Sequence, residues 1–173
     1  MRKRIVLFVI LLAITASPIF AAIAAPPGPT IVEVAIAVNS DGAFAGQFDT
    51  LIAAVLAADP AVLATLSGNG QFTVFAPTDD AFAALALNET NIGNLPQNVL
   101  TDILLYHVAR GRRYSASIIE SHHIRTMLKS FLLQDDGTLT DNLGRQANII
   151  VTDVEAANGI IHGIDAVVLP YSP

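Results

Sequence analysis

The sequence predicts an α+β domain whose sheet is largely non-parallel. Helical patterns come mainly first along the chain, and short strand patterns come mainly last. The dipeptide Asn158-Gly159 stands between two β-branched segments, which is typical of a β-hairpin. Helices that precede strands, rather than alternating with them, favour this fold class over a parallel α/β sheet.

Capping signals place the first helices. Thr30 and Glu33 have the spacing of a capping box, which predicts a helix over residues 31–38. Asp49 is placed to cap a second helix, because an aspartate side chain can accept from the first free backbone N–H groups. Asp59-Pro60 interrupts that helix, and a short helical turn is expected after it.

The segment QFTVFAPTDDAFAAL, residues 71–85, predicts a buried strand followed by a helix. Alternation over Phe72–Phe75 predicts the strand. Because proline cannot donate to a ladder, we expect that strand to end before Pro77. Thr78 is placed to N-cap the helix, and the two aspartates that follow lie where the positive end of the helix dipole favours carboxylates.

The middle of the chain predicts one longer helix and one short helix. Residues 99–108 place Leu100, Ile103, Leu104 and His107 on one stripe of a helix. Gly111 is a natural C-terminal stop for that helix. Ser117 and Glu120 form a second capping box, which predicts a short helix.

The last part of the chain predicts strands. Turn signals at residues 135–137 and 142–144 place short strands around them. Residues 147–154 form a β-branched strand, and residues 160–169 form its returning partner after the Asn158-Gly159 turn. The state of residues 124–133, which mix apolar, β-branched and basic side chains, is left open by the pattern.

The N-terminus predicts a secretory signal peptide. Arg2, Lys3 and Arg4 precede an uninterrupted apolar run at residues 5–14, and Ala22-Ile23-Ala24 offers a small-x-small cleavage pattern. We expect cleavage after Ala24, a linker over residues 25–29, and a single domain over residues 30–171 that is secreted, extracellular or periplasmic. The apolar run is short for a membrane span, so none is expected in the mature chain.

Charge and composition exclude several classes of function. Loss of the three basic residues near the N-terminus lowers the nine Lys and Arg residues to six, against 15 Asp and Glu residues, for a net charge of −9. Such an acidic domain is a poor candidate for binding nucleic acid or anionic membranes. The basic cluster Arg110, Arg112 and Arg113 is interpreted as a solvated loop after a helix. The absence of cysteine excludes disulfides.

The sequence predicts no catalytic residues, no metal and no cofactor. Common signatures of hydrolases, metalloproteases and nucleotide-binding enzymes are absent. His107 and His162 lie in apolar patterns that are typical of buried histidines with satisfied ring nitrogens. His122 and His123 are adjacent, and consecutive side chains of a strand point to opposite faces, so they chelate poorly.

Three segments resemble the fasciclin (FAS1) domain family. FTVFAPTDDAF resembles its first signature segment, and ILLYHVARGRRYSA (Ile103–Ala116) and ANIIVTDVEAANGIIHGIDAVVLP (Ala147–Pro170) follow in the right order and at suitable spacing. The resemblance implies a fasciclin-like β-sandwich wedge with helices packed around it. It also implies action outside cells, in adhesion and matrix contact, without catalysis.

The resemblance also suggests candidate partner-binding residues. In some adhesive members, an Asp-Ile pair before the last hairpin and a Tyr-His segment with flanking aliphatic residues are implicated in integrin contact. The matching residues here are Asp153-Val154 and Tyr106-His107, the latter flanked by Ile103 and Leu104. Gly163 stands where the family usually has a branched apolar residue, which predicts a looser or bent final strand.

Three functions follow as hypotheses. The first is an exported module that binds a cell-surface or matrix protein or a polysaccharide. The alternative is a carrier of an apolar small molecule such as a carotenoid, since some fasciclin-like proteins resemble carotenoid binders and the alanine-rich helices could line a groove. An unrecognised hydrolase is the third hypothesis, and the missing catalytic signatures disfavour it.

Overall fold

A computed structural model describes residues 27–172, so the predicted signal peptide at residues 1–24 lies outside the described residues. The helices described are α1 (Ile31–Ser40), α2 (Asp49–Ala57), α3 (Pro60–Leu66), α4 (Asp79–Ala83), α5 (Gln97–Tyr106) and α6 (Ser115–Ile119), with a 3₁₀ turn at Ile92–Asn94. The strands described are β1 (Phe72–Pro77), β2 (Val108–Arg110), β3 (His123–Arg125), β4 (Phe131–Asp135), β5 (Thr138–Thr140), β6 (Gln146–Ala156) and β7 (Gly159–Ile164). The mixed composition of helices and strands is confirmed, and the β-sandwich wedge stays a prediction.

The strands form one seven-stranded sheet in the order β2-β1-β7-β6-β5-β4-β3. The pair β1 and β7 is parallel, and the other neighbours are antiparallel. The two edges of the sheet also meet, because Ala109 bridges to Thr126 and the backbone N–H of Met127 donates to the carbonyl of Val108 at 2.7 Å. The sheet is therefore curled, with an inner and an outer face.

Each face of the curled sheet has its own hydrophobic core. The inner core gathers buried side chains from strands all around the curl and from α5 and α6: Phe75, Tyr106, Ile118, Ile124, Leu132, Leu139, Ala147 and Ile164. The outer core packs α1 to α5 against β1, β2 and β7, and it includes Leu51, Val62, Phe72, Val74, Phe82, Leu100, Val108 and Ile161. Neighbouring residues of β1 alternate between the two cores, as the period of a strand requires.

Local capping signals are confirmed at α1 and α4. The Thr30 hydroxyl accepts from the backbone N–H of Glu33 at 3.4 Å, and the Glu33 carboxylate accepts from the backbone N–H of Thr30 at 2.7 Å. Thr78 caps α4 by accepting from the backbone N–H of Ala81 at 3.4 Å. Both caps need partners only three residues away, so the sequence contains the whole signal.

The expected end of β1 before Pro77 is wrong. The strand continues through Pro77, which pairs with Ile164 of β7. In a parallel ladder the residue after Pro77 supplies the donor, and the N–H of Thr78 donates to the carbonyl of Ile164 at 3.2 Å. The missing N–H of the proline therefore costs this pair no hydrogen bond.

The expected N-cap at Asp49 is also wrong. The cap position of α2 is Phe48, which makes no side-chain capping bond. The carboxylate of Asp79 instead accepts from the backbone N–H groups of Asp49 at 3.2 Å and Thr50 at 2.9 Å. The segment that opens α4 therefore also caps α2 from a distance of 30 residues.

Two further predictions, the C-terminal end of α5 and the N-cap of α6, are also wrong. The helix α5 ends at Tyr106, well before Gly111, because the chain then pairs with β1 as β2. Gly111 has a φ of 85° and follows β2 rather than the helix. The helix α6 starts at Ser115, so the capping box predicted from Ser117 does not form.

The last hairpin is present, but β7 is shorter than predicted. It ends at Ile164 instead of residue 169. Its partner β6 carries register shifts on both sides of Val151 and a positive φ of 58° at Asp153. A side chain on Gly163 would place its Cβ 2.9 Å from Val151, so the glycine allows close approach to the irregular part of β6. The irregularity lies in β6, whereas all six residues of β7 pair in register with β1.

Asn158 is a buried polar link between the hairpin and two helices. Its side-chain amide donates to the carbonyls of Leu66 at 2.7 Å and Gly68 at 2.8 Å. Its side-chain oxygen accepts from the backbone N–H of Ile31 at 2.7 Å. One fully buried side chain therefore holds the start of α1, the end of α3 and the β6–β7 turn together.

We predict that Asn158→Ala lowers the free energy of unfolding by about 2–4 kcal/mol, because it leaves one donor and two acceptors buried without partners. Urea unfolding followed by circular dichroism measures the loss. Asn94→Ala, at an exposed position, is the control and should change stability by less than about 0.5 kcal/mol. Equal small effects of both substitutions would contradict the role given to Asn158.

Candidate functional site

The structure places most of the residues predicted from the Tyr-His segment in the interior. Ile103, Leu104, Tyr106 and His107 are all buried, with Tyr106 at 0% exposure. The hydroxyl of Tyr106 donates to the carbonyl of Phe131 at 2.8 Å, and burial raises its pKa to about 12. In this structure these four side chains offer almost no accessible surface to a partner.

His107 has both ring nitrogens satisfied by the backbone. Its Nε2 accepts from the N–H of Val168 at 3.3 Å, so its Nδ1 carries the proton and donates to the carbonyl of Ile103 at 2.8 Å. Complete burial lowers the pKa of His107 to about 4, although the Ile103 contact opposes the shift. The prediction of a satisfied core histidine is confirmed.

Asp153 lies at the bulge of β6 and caps a helix. Its carboxylate accepts from the backbone N–H of Ser115 at 2.8 Å and from the hydroxyl of Ser115 at 2.5 Å. These contacts supply the capping acceptor that Tyr114, the residue before α6, does not provide. Burial alone would raise the pKa of Asp153, but the two hydrogen bonds from Ser115 outweigh it and lower the pKa.

Ser115, Asp153 and His162 come close together without forming a catalytic triad. The Ser115 hydroxyl donates to the aspartate instead of to the histidine. The His162 Nδ1 accepts from the backbone N–H of Asp153 at 3.3 Å, so its Nε2 donates to the carbonyl of Arg113 at 2.8 Å. No imidazole nitrogen faces the serine oxygen, so this arrangement does not activate a nucleophile.

An accessible surface surrounds Asp153. Val154 is half-buried and packs against the outer core, and Glu155 is exposed. Tyr114 is 41% exposed, and its hydroxyl donates to the Glu155 carboxylate at 3.0 Å. We call Asp153, Val154, Glu155 and Tyr114 the bulge surface. Sequence reasoning missed Tyr114 and Glu155, because 41 residues separate them and neither belongs to a recognised contact motif.

An apolar cleft lies between α1 and the helices α2 and α3. Its volume is about 130 Å³, and it is partly open to solvent. Its lining is apolar apart from His107 and includes Ile31, Ala35, Leu51, Val55, Leu66 and Val74. Ile36 and Leu56 also line the cleft, and they remain 46% and 70% exposed.

Residues 27–172 offer no cluster of metal ligands and no single membrane-spanning helix. No group of three or more His, Asp or Glu side chains in this range could hold a metal ion. Over the same range no single helix is long and apolar enough to span a membrane, and only α2 and α3 together, bent by 119°, have the required length and composition.

We predict that His107 makes the domain sensitive to mild acid. The neutral ring is required in the fold, so its contribution is present above the unfolded pKa of 6.5 and is lost as pH falls toward about 4. The loss over this window is about 3 kcal/mol for one buried histidine. Urea unfolding of His107→Gln at several pH values should show a shallower dependence on pH than the wild type.

The exposed His122→Gln variant is the matched control, and it should keep the wild-type pH dependence. His162 is also buried, with burial lowering its pKa, so His107→Gln should retain part of the slope. An unchanged slope in His107→Gln would show that His107 does not set the acid sensitivity.

Comparisons with known proteins support the resemblance seen in the sequence. Protein sll1483 of a Synechocystis species is 42% identical over 145 residues, covering 82% of this chain and 73% of that protein. Transforming growth factor-beta-induced protein ig-h3 of Sus scrofa is 32% identical, covering 84% of this chain and 20% of its own. The solved structure of a FAS1 domain pair from the insect cell adhesion molecule Fasciclin I matches with a TM-score of 0.54 at 25% identity, covering 66% of this chain and 42% of that one.

The family model for the Fasciclin domain matches residues 46–170, which include α2 to α6 and all seven strands of the described sheet. This match covers more than half of the chain, and the chain therefore belongs to the Fasciclin (FAS1) domain family.

Proposed function

We propose that this chain is an exported, non-catalytic module that binds a cell-surface or matrix protein or a glycan in adhesion. The observation that carries the proposal is the structural likeness to the cell adhesion molecule Fasciclin I, over two thirds of the chain. Membership of the same domain family supports it. The predicted signal peptide at residues 1–24 supports export, and the curled sheet with its outer helices is compatible with the β-sandwich wedge of the family.

We place the contact of this module at the bulge surface. Asp153 has a left-handed backbone conformation, is partly exposed and lies in the irregular part of β6. Next to it the structure offers an exposed carboxylate on Glu155 and a partly exposed aromatic ring on Tyr114. Surface aromatic side chains beside charged groups are favourable anchors for a partner.

The buried Tyr-His residues have a different role in this proposal. Ile103 and Leu104 belong to the outer core and Tyr106 to the inner core. His107 is also buried, so a partner would not touch these four side chains. Their substitution should affect attachment only as far as it affects folding. The proposed contact residues are therefore Asp153 and Val154, extended by Tyr114 and Glu155.

The test is attachment of the secreted protein to host cells or extracellular matrix. Asp153→Asn removes the charge but keeps an oxygen that can accept from Ser115, so we expect a folded variant with attachment weakened about tenfold. Ser115→Ala is the matched control, since it disturbs the same helix cap and leaves the carboxylate in place. We expect Ser115→Ala to attach like the wild type.

Circular dichroism and thermal unfolding of both variants separate folding from contact. Equal attachment by Asp153→Asn and wild type would remove Asp153 from the contact surface. Parallel losses of attachment and of melting temperature in both variants would show that the pair acts only through the α6 cap.

A second candidate function is carriage of an apolar small molecule, and the apolar cleft is the observation that favours it. A cleft of about 130 Å³ is close to the engineered apolar cavity of about 150 Å³ that holds benzene. It accommodates a ring or a short apolar segment as it stands. A long polyene such as a carotenoid would need α1 and α2 to move apart or would lie partly outside.

Purification from the native host tests this candidate by its visible spectrum. We expect a coloured wild-type protein, and loss of the absorption band in Leu56→Glu, which places a charge on an exposed side chain that lines the cleft. Ile119→Glu introduces the same charge at a residue that is 52% exposed on α6, and it should keep the colour. A colourless wild-type protein would argue against a carotenoid.

A further inference from the structure

The basic side chains of this acidic domain divide into two groups. Within residues 27–172, Arg145 pairs with Asp141 at 2.6 Å. Arg112 donates to the carbonyls of Ala156 and Ala157 and to the side chain of Gln71. Arg113 is half-buried, with its Nε enclosed. The remaining three, Arg110, Arg125 and Lys129, are all exposed and belong to no ion pair of the described chain.

The curl of the sheet brings these three residues to one place. Arg110 ends β2 and Arg125 ends β3, and these are the two edge strands that meet through the Ala109–Thr126 bridge. Continuing that antiparallel register places Arg110 opposite Arg125, at about 5 Å between their backbones. Lys129 lies in the turn that follows, where its N–H donates to the carbonyl of Thr126 at 3.0 Å.

An apolar platform adjoins the cationic residues on the outer face of the sheet. Arg125 pairs with Phe131, and His123 pairs with Leu133. Phe131 and Leu133 are each 48% exposed, and the ring of His123 lies edge-on to the ring of Phe131 at 6.3 Å between centroids. The helices of the outer core cover β1, β2 and β7, so this part of the outer face stays open. We call Arg110, Arg125, Lys129, Phe131 and Leu133 the basic edge.

Arg110 and Arg125 repel each other at the basic edge, and exposure to solvent keeps this cost small. Like charges directly opposite each other on neighbouring strands are destabilising. Residues 121–134, which form β3, the turn and most of β4, contain no Asp or Glu, and none of the three cations belongs to an ion pair of the described chain. Asp135, at the far end of β4, is the first acidic residue along that strand. A negatively charged ligand would remove the repulsion on binding.

We propose that the basic edge binds an anionic polysaccharide. Two or three negative groups spaced along a flexible chain match two adjacent guanidinium groups and one ammonium group, and a guanidinium binds sulfate or carboxylate through paired hydrogen bonds. The flat face of a sugar ring suits contact with the exposed ring of Phe131 and the side chain of Leu133. The inference rests on the proposed adhesion function, since it names the glycan class that such a module would hold.

The exposure and small size of the basic edge predict how its binding depends on salt and on the length of the polysaccharide. All the groups are solvent-exposed, so each charge contributes little and binding should weaken steeply with salt. One basic edge holds only a short stretch of polymer, so measurable retention depends on many sites along one polysaccharide chain. The basic edge shares no residue with the bulge surface, so variants can test the two surfaces separately.

The experiment measures retention of the secreted protein on immobilised dextran sulfate and polygalacturonate, with neutral dextran as the reference, over a range of salt concentrations. We expect retention on both acidic polymers at low salt and none on neutral dextran. The triple variant Arg110→Gln, Arg125→Gln and Lys129→Gln should weaken retention at least about tenfold. The double variant Arg110→Lys and Arg125→Lys keeps the charge but loses the paired hydrogen bonds of the guanidinium groups, so its retention should lie between that of the wild type and that of the triple glutamine variant.

Phe131→Ala tests the apolar platform, and Ile150→Ala, at a residue that is 51% exposed on β6, is its matched control. We expect weaker retention for Phe131→Ala alone.

Equal retention of wild type and the triple glutamine variant, or equal retention on neutral dextran, would overturn the proposal. Equally tight, equally variant-sensitive binding to phosphatidylserine vesicles would overturn the assignment to a polysaccharide. Attachment of wild type to cells without retention on either acidic polymer would refute this inference and leave the adhesion function standing.

Discussion

The parallel pairing of β1 with β7 is the constraint on which the rest of the structure depends. Every residue of both strands is buried, so both faces of the pair must be covered. Helices cover the outer face, and the curl of the sheet covers the inner face by bringing β3, β4 and β5 around a second core. Closure of the two edges at Ala109 and Thr126 follows from that curl. The strands that complete the curl need no helix outside them, which leaves their outer face open.

Features with local causes could be predicted from the sequence. The capping box of Thr30 and Glu33 and the cap at Thr78 use partners three residues away. The turn at residues 136–137 has positive φ angles of 46° and 83°, which aspartate and glycine tolerate, so the β4–β5 hairpin was also predictable. The cap of α2 could not be predicted from local sequence, because its acceptor is Asp79, 30 residues along the chain. The same holds for α6, whose acceptor is Asp153, 38 residues beyond Ser115. Sequence patterns show which groups are able to cap a helix, and the fold decides which of them do.

The candidate site shows the same division between local and distant causes. The apolar stripe of α5 correctly predicted that His107 is buried, and burial then removes the Tyr-His residues from any contact surface in this structure. The family resemblance identified Asp153 from its position before the last hairpin, but not that its carboxylate is engaged by Ser115. A carboxylate that both caps a helix and borders an accessible surface links stability to the proposed contact. Tyr114 and Glu155 complete that surface only through the packing of α6 beside β6.

A net charge of −9 does not prevent an acidic domain from holding a polyanion at one place. At physiological ionic strength the Debye length is about 8 Å, so carboxylates further away than this are largely screened at the surface. The charges that matter at the basic edge are therefore those of the nearest strands, and residues 121–134 supply Arg125 and Lys129 without any carboxylate. The 15 acidic residues act mainly at longer range and lower the rate of encounter with a polyanion, especially at low salt. Local attraction and overall repulsion thus act on different steps of binding. The basic edge sets the rate of dissociation, whereas the other, acidic residues of the domain set the rate of association. They also disfavour polysaccharide chains that would contact a wider area of the domain.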